Sequence, residues 1–177
     1  GALNFSQIKK ISSLFALNIT PFKDINCIAD LRTNINFDLD KKFKIKNLSY
    51  TMAGDISYLK IHTNEKKIIK KYLPEYDPII ILKDTNIKLT NSKSDQTAEL
   101  NGLIKIKTKF DSFKIEEKYN YNKKSFDIDG IVNLTNSRVK VEKLNYNKNQ
   151  GEKSELSFDV NFVLHKYYNI RKLEFLA

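Results

Sequence analysis

Phe43-Lys44-Ile45-Lys46-Asn47-Leu48-Ser49-Tyr50 returns as Val139-Lys140-Val141-Glu142-Lys143-Leu144-Asn145-Tyr146, and again as Tyr168-Asn169-Ile170-Arg171-Lys172-Leu173-Glu174-Phe175. A looser copy with one residue inserted runs from Phe113 to Tyr121, so the three later copies start 26 and then 29 residues apart. The upstream context recurs too, as Ile35-Asn36-Phe37, Val132-Asn133-Leu134 and Val160-Asn161-Phe162. Lys, Asn and Ile are abundant throughout, so residue identity alone would match cheaply. The shared apolar phase, at offsets 0, 2, 5 and 7 of the phrase, carries the argument. Self-similarity at near-fixed spacing marks stacked units, none of which can bury its apolar face alone.

The units read as β-strands. Ala29, Leu31, Thr33, Ile35, Phe37 and Leu39 share one parity, and Asp30, Arg32, Asn34, Asn36 and Asp38 share the other, which is the period of a strand with one dry face. Ile104, Ile106, Thr108 and Phe110 alternate with Lys105, Lys107 and Lys109 and predict a further strand. So do Phe126, Ile128, Gly130, Val132 and Leu134, and Leu156, Phe158, Val160, Phe162 and Leu164. Within the repeated phrase the parity slips once, as a β-bulge would make it, and bulges at equivalent places would curl the sheet in one direction. Asn64-Glu65, then Ile68, Ile69, Tyr72, Leu73 and Pro74, predict a short capped helix over about 64–73 ended by proline. Ile8, Ile11, Leu14 and Phe15 suggest another near the start, and Pro74-Glu75-Tyr76-Asp77-Pro78 a stiff turn. The expected fold is all-β: mainly an antiparallel meander of repeating bulged strands forming a curved open sheet or groove, with one or two short helices.

The sequence, from Gly1 without an initiator methionine to Ala177 just after a repeat phrase, reads as one β-groove segment (1–177) of a longer repeat protein. Residues 25–100 form its first part and 101–177 three later repeat units. The longest apolar run is Ile79-Ile80-Ile81-Leu82, far short of the ~20 residues of a spanning helix, so any membrane anchor is expected outside this stretch. Cys27 is the single cysteine, which rules out an internal disulfide; on an alternating strand it reads as a small buried hydrophobe.

A net charge of +10 raises nucleic acid as a partner, with Tyr50, Tyr119, Tyr121 and Tyr146 as stacking residues. Only Arg32, Arg138 and Arg171 are arginine, however, and the lysines are spread over every strand, so a solvated outer face explains them better than a nucleic-acid stripe. His62 and His165 lack partners in any triad-like pattern. Asp127-Ile128-Asp129-Gly130 lacks the remaining ligands of a calcium loop and follows the strand phase. The expectation is no enzyme, no metal, no cofactor and no nucleic acid.

The stretch LPEYDPIIILKDTNIKL at 73–89 and the unit INFDLDKKFKIKNLSYTMAGDISYLKI at 35–61 resemble the AsmA-like envelope protein superfamily, of the TamB and YhdP type. The resemblance covers roughly 25–177. It implies a hydrophobic groove carrying phospholipid between the inner and outer membranes of a diderm bacterium, in the periplasm, with an inner-membrane anchor elsewhere in the chain. The expected partners are phospholipid acyl chains and flanking repeats. With only five glycines, Asn, Asp and Lys are expected to take the turn positions. The residues assigned to the groove are Ile35, Phe37, Phe43, Ile45, Ile104, Ile106, Ile128, Val132, Val139, Val141, Phe158, Val160 and Phe162. The same alternation would equally serve the core of a closed sandwich, in a β-rich surface module that binds another protein.

Overall fold

The computed structural model describes residues 1–3, 6–7, 10, 22–63, 67–74, 76–105, 109–163 and 167–177. Its strands are β1 (Ala2–Leu3), β2 (Phe22–Leu39), β3 (Ile45–Thr63), β4 (Ile79–Asn91), β5 (Asp95–Lys105), β6 (Phe110–Asn120), β7 (Ser125–Asn133), β8 (Val139–Val141), β9 (Tyr146–Lys148), β10 (Glu155–Val163) and β11 (Tyr167–Leu176). Nine of them form one antiparallel sheet in the order β1-β2-β3-β4-β5-β6-β7-β10-β11, and β8 and β9 form a separate two-stranded ribbon. Every long strand pairs with its neighbour in sequence, apart from β7 and β10, which are joined through the ribbon. This is the meander expected from period-2 alternation interrupted by short polar turns.

The turns after β2, β4, β6 and β10 lie at one end of the sheet, here the upper end; the connections after β3, β5 and β7 lie at the lower end. Left-handed backbone occurs at Phe43, Asn47, Asp84, Lys124 and Asn145, none of them glycine. Asn and Asp tolerate this region because their short side chains bond the local backbone, which is how a chain with so few glycines makes its bends.

The repeated phrase takes several backbone forms. In β3 the register against β2 shifts between Asn36 and Asp38, opposite Ser49 and Lys46, with Asn47 left-handed: a bulge where the parity slips. In β11 Arg171 is the extra residue between Ile170, opposite Val160, and Lys172, opposite Asp159. The middle copy departs from expectation. Val139–Val141 is strand, but Glu142–Leu144 forms a 3-10 turn and Asn145 a left-handed cap whose amide donates to Glu142 O at 3.0 Å, so the chain reverses into β9 instead of bulging. The loose copy in β6 runs straight, in unbroken register with both β5 and β7.

The strand expected through Ile104–Phe110 is also corrected. β5 ends at Lys105, Lys105 is the cross-strand partner of Phe110, and the chain turns back between them. The alternation carried across a turn because Lys105, Lys109 and Phe110 keep the polar and apolar order that a continuous strand would have. Ile106, Thr108, Leu164 and His165 lie outside the described residues, as do Ile8, Ile11, Leu14 and Phe15 of the expected early helix, near which Ser6, Gln7 and Lys10 are helical, and the expected cap Asn64-Glu65.

The later helix is present as α1 (Lys67–Tyr72), with Lys70 and Lys71 in its last turn, where they complement the helix dipole. The turn after it is held by the Tyr76 amide donating to Leu73 O at 2.9 Å and the Ile79 amide donating to Asp77 Oδ1 at 2.9 Å. Although α1 and the β8–β9 ribbon lie four strands apart in the sheet order, α1 contacts β8. Both therefore reach inward at the lower end, and the sheet between them is curled.

Candidate functional site

Strand pairing places the apolar residues in rows across a single face. One row of register partners reads Ile35, Tyr50, Asn91, Gln96, Tyr119, Phe126, Phe162 from β2 to β10. The next reads Thr33, Met52, Leu89, Ala98, Glu117, Ile128, Val160, Ile170. A third reads Leu31, Gly54, Ile87, Leu100, Ile115, Gly130, Phe158, Leu173, and a lower one joins Phe113, Val132, Leu156 and Phe175. Register partners in an antiparallel pair point the same way, so these rows line one continuous apolar surface. The eight sheet strands from β2 to β11, set about 4.8 Å apart, make it roughly 34 Å wide.

Among the described residues no second layer covers this surface. Its lining is mostly half-buried, with Ile25, Tyr50, Ile56, Leu82, Ala98 and Phe113 as its buried apolar members. The chain exposes 12049 Å², against about 8,900 Å² for a compact globule of its mass by the usual area scaling. A closed sandwich would lie near the lower figure.

Of the residues assigned from sequence, Ile35, Phe37, Ile45, Ile104, Ile128, Val132, Phe158, Val160 and Phe162 share this face. Phe43 instead occupies the β2–β3 turn, 84% exposed. Val139 and Val141 belong to the ribbon, where Val139 is buried. Leu31 and Phe126, placed on the dry parity of their strands but not assigned to the groove, line it too, and sequence reasoning missed Met52, Leu82, Ile87, Leu89, Leu100, Phe113 and Ile115. The β4 members were hidden by the register shift between Lys83 and Asn86, where left-handed Asp84 moves the apolar phase by one residue.

The ends of the surface differ. At the lower end Tyr146 of the ribbon meets Phe175 of the sheet edge to face at 5.6 Å, and Tyr76, Leu134 and Val139 are buried. The ribbon is pinned by Lys148, whose Nζ donates to the carbonyls of Leu134 at 2.6 Å, Thr135 at 3.2 Å and Ser137 at 2.7 Å. Burial pushes the Lys148 pKa down, against the opposing pull of Asp111 and Glu152. Along the upper rows runs an aromatic ladder: Tyr119 packs on Tyr121 at 5.1 Å and on Phe126 at 4.4 Å, and Phe126 stacks on Phe162 at 4.7 Å. The tyrosines considered for base stacking thus have their rings committed here or, for Tyr50, buried.

Polar groups on the apolar face are few. Tyr121 donates its hydroxyl to Asn91 Oδ1, Thr85 is fully buried and donates to Lys83 O at 3.0 Å, and Cys27 has its thiol pKa raised mainly by burial. Glu117 lies between Ala98 and Ile128 with no ion-pair partner among the described residues, and desolvation raises its pKa.

The other face is polar. Ion pairs Lys88–Glu99 at 3.7 Å, Lys114–Glu116 at 2.7 Å and Lys172–Glu174 at 3.0 Å lie along it. Arg171, bulged out of β11, reaches both Asp159 and Asp127, the latter at 2.9 Å. A cavity of about 740 Å³ on this side is lined by Lys118, Asn120, Asp127, Asn161 and Arg171, among others. Exposed pairs of this kind add little stability, but they keep this face in water. No family model, curated protein or solved structure matches the chain.

Proposed function

We propose that the apolar face is a groove for phospholipid acyl chains in a segment of an AsmA-like envelope protein that moves lipid between the inner and outer membranes of a diderm bacterium. On this reading the protein is not an enzyme. It works in the periplasm, anchored to the inner membrane by a segment outside this sequence, and its strands continue into flanking repeats.

The observation that carries the reading is the continuous apolar surface on one side of a single curled sheet, uncovered by any described layer. An acyl chain of about 16 carbons gains roughly 0.8 kcal/mol per methylene on leaving water, so bare passage through an aqueous gap costs on the order of 10 kcal/mol. A surface ~34 Å wide whose rows are mainly Ile, Leu, Val, Met, Phe and Tyr, with few polar members, lowers that barrier along its length. The lysines of the opposite face keep such a sheet soluble.

Native mass spectrometry of the purified chain tests the reading. Co-purifying phospholipid, lost in Ile128→Asp and Val160→Asp and retained in the polar-face variant Lys88→Ala, is the expected result. Lipid-free protein that also fails to take up a fluorescent fatty acid overturns it. The sheet would then serve a protein-binding envelope module, which the outer edge of β11, unpaired among the described residues, favours by offering ten residues of backbone for strand addition.

A further inference from the structure

Beyond the last pair of β3 with β4, Tyr50 with Asn91, strands β2 and β3 pair only with each other. They form an arm projecting about 15 Å from the upper end of the sheet, five residues at ~3.3 Å each. One side of this arm carries Phe37, 50% exposed, Leu39, 53%, and Ile45, 59%; Phe43 caps it at 84%.

The turn is built with care. The Asp40 carboxylate accepts the amides of Lys42 at 2.8 Å and Lys44 at 3.0 Å, the Asp40 carbonyl accepts the amide of Phe43 at 2.9 Å, and the Asp40 amide donates to Lys44 O at 3.0 Å. Asn47 donates to Asp38 Oδ2 at 2.7 Å, fixing the bulge beneath it. This scaffold holds Phe43 in left-handed backbone at φ 57°, a region that bulky residues avoid and that Gly or Asn would occupy without strain. A solvated turn gains nothing from a phenyl ring held there. Lys41, Lys42 and Lys44 flank Phe43 in the chain, while the two local carboxylates are engaged within the arm, Asp38 by Asn47 and Asp40 by the turn amides and by Lys46 at 3.7 Å.

We infer that this arm is a docking tip for an anionic bilayer surface: Phe43, Ile45, Leu39 and Phe37 enter the headgroup and acyl boundary, and Lys41, Lys42 and Lys44 lie among the lipid phosphates. Charge complementarity selects this occupant. Apolar side chains flanked by cations match an interface that is apolar beneath and anionic above, whereas a second copy of the same tip would bring lysines against lysines. The inference stands whether or not the groove carries lipid.

The chain has no tryptophan, so Phe43→Trp creates a single fluorescent reporter at the tip, and Leu144→Trp, in the 3-10 turn at the lower end, a control. On mixing with vesicles of phosphatidylethanolamine and phosphatidylglycerol, the Phe43→Trp emission should shift to the blue and be quenched by brominated lipid, while Leu144→Trp emission stays unchanged. Exchanging Lys41, Lys42 and Lys44 together for Gln should weaken vesicle binding about a hundredfold, at about fivefold per lysine near the surface. Vesicles of phosphatidylcholine alone, or high salt, should weaken it similarly. Three results overturn the inference: no shift with anionic vesicles, an equal shift at both reporters, or a protein-concentration-dependent shift without lipid, which would make the tip a contact between copies. Lipid bound in native mass spectra without a vesicle shift would leave the groove standing and remove the tip.

Discussion

Lys148 pins the ribbon at the lower end of the apolar surface, and replacing it with Met isolates what that pin contributes. The side chain is 1% exposed and its three donors reach three carbonyls, those of Leu134, Thr135 and Ser137. Two of these keep another partner in the variant, since Leu134 O accepts the Ser137 amide at 3.0 Å and Thr135 O the Gly151 amide at 2.7 Å. Ser137 O loses its donor. Hydrogen bonds to charged groups contribute about 1.5 to 3 kcal/mol each, and an orphaned buried acceptor costs a further 1 to 3 kcal/mol. Burying the ammonium offsets part of this, which leaves a net loss of about 3 kcal/mol for Lys148→Met.

For a chain of this length, at roughly 2 to 4 °C per kcal/mol, the melting temperature should fall by about 6 to 12 °C. Circular dichroism during thermal and urea unfolding reads that change. Hydrogen exchange should locate it in residues 134–151, with the sheet strands protected as before. A loss below about 0.5 kcal/mol, in the range of ordinary surface substitutions, would refute the assignment of Lys148 as the pin. Alkaline pH supplies an independent check. The folded pKa lies below the unfolded value of 10.5, so between the two the unfolded chain binds more protons and stability rises with pH. The gap between wild type and Lys148→Met should therefore widen as pH climbs through that window.

Glu117 gives the opposite sign on the acidic side. Its folded pKa is raised by burial above 4.5, so the native state binds more protons between the two values, and stability attributable to this group rises as pH falls through the folded value towards 4.5. Glu117→Gln should raise the melting temperature at neutral pH and flatten that acidic gain; an unchanged profile would mean the carboxylate is solvated. At Gly102 an added Cβ would lie 2.4 Å from Thr85 Oγ1 and 2.6 Å from Thr85 Cα. Because the second atom is backbone of a buried residue, Gly102→Ala should cost about 2 kcal/mol or more in urea unfolding, as overpacking does. Asp40→Ala should leave global unfolding within about 0.5 kcal/mol, because the arm is exposed, yet accelerate amide exchange at Lys42 and Lys44, whose donors it strands.

The strands were legible because their alternation is strict where the backbone is regular. Ala29–Leu39, Phe126–Val132 and Leu156–Phe162 place their apolar parity on one face, as period 2 requires. Legibility failed where a single residue changes hand. The offsets of the repeated phrase are the same in β3 and in Val139–Tyr146, but Asn47 occupies the left-handed residue of a bulge whereas Asn145 caps a 3-10 turn. Both geometries shift parity by one, so periodicity cannot separate them; the choice falls to what lies alongside. β2 pairs with the first copy from Ile45 to Tyr50, while the short β8 has β9 as its strand partner. Lys148 was equally hidden. Its role depends on carbonyls brought together by the ribbon, and nothing in the order of residues distinguishes it from the other lysines.

Alternation alone also leaves open whether a dry face meets another sheet or remains uncovered, and here connectivity decides. A sandwich needs strands that cross from one layer to another, yet each long strand in this chain lies beside its neighbour in sequence. With hairpin after hairpin added on the same side, the only way to shelter the apolar rows is to curl the sheet about them. The bulges in β3, β4 and β11 increase its twist, and α1 with the β8–β9 ribbon fills the lower end of the curl. The upper end has no such filling among the described residues, and it is there that β2 and β3 outrun their neighbours and carry Phe37, Leu39 and Ile45 past the rim. The two rims of the apolar surface therefore differ: the ribbon pinned by Lys148 packs Tyr146 against Phe175 at the lower one, and the exposed side chains of the β2–β3 arm run past the upper one.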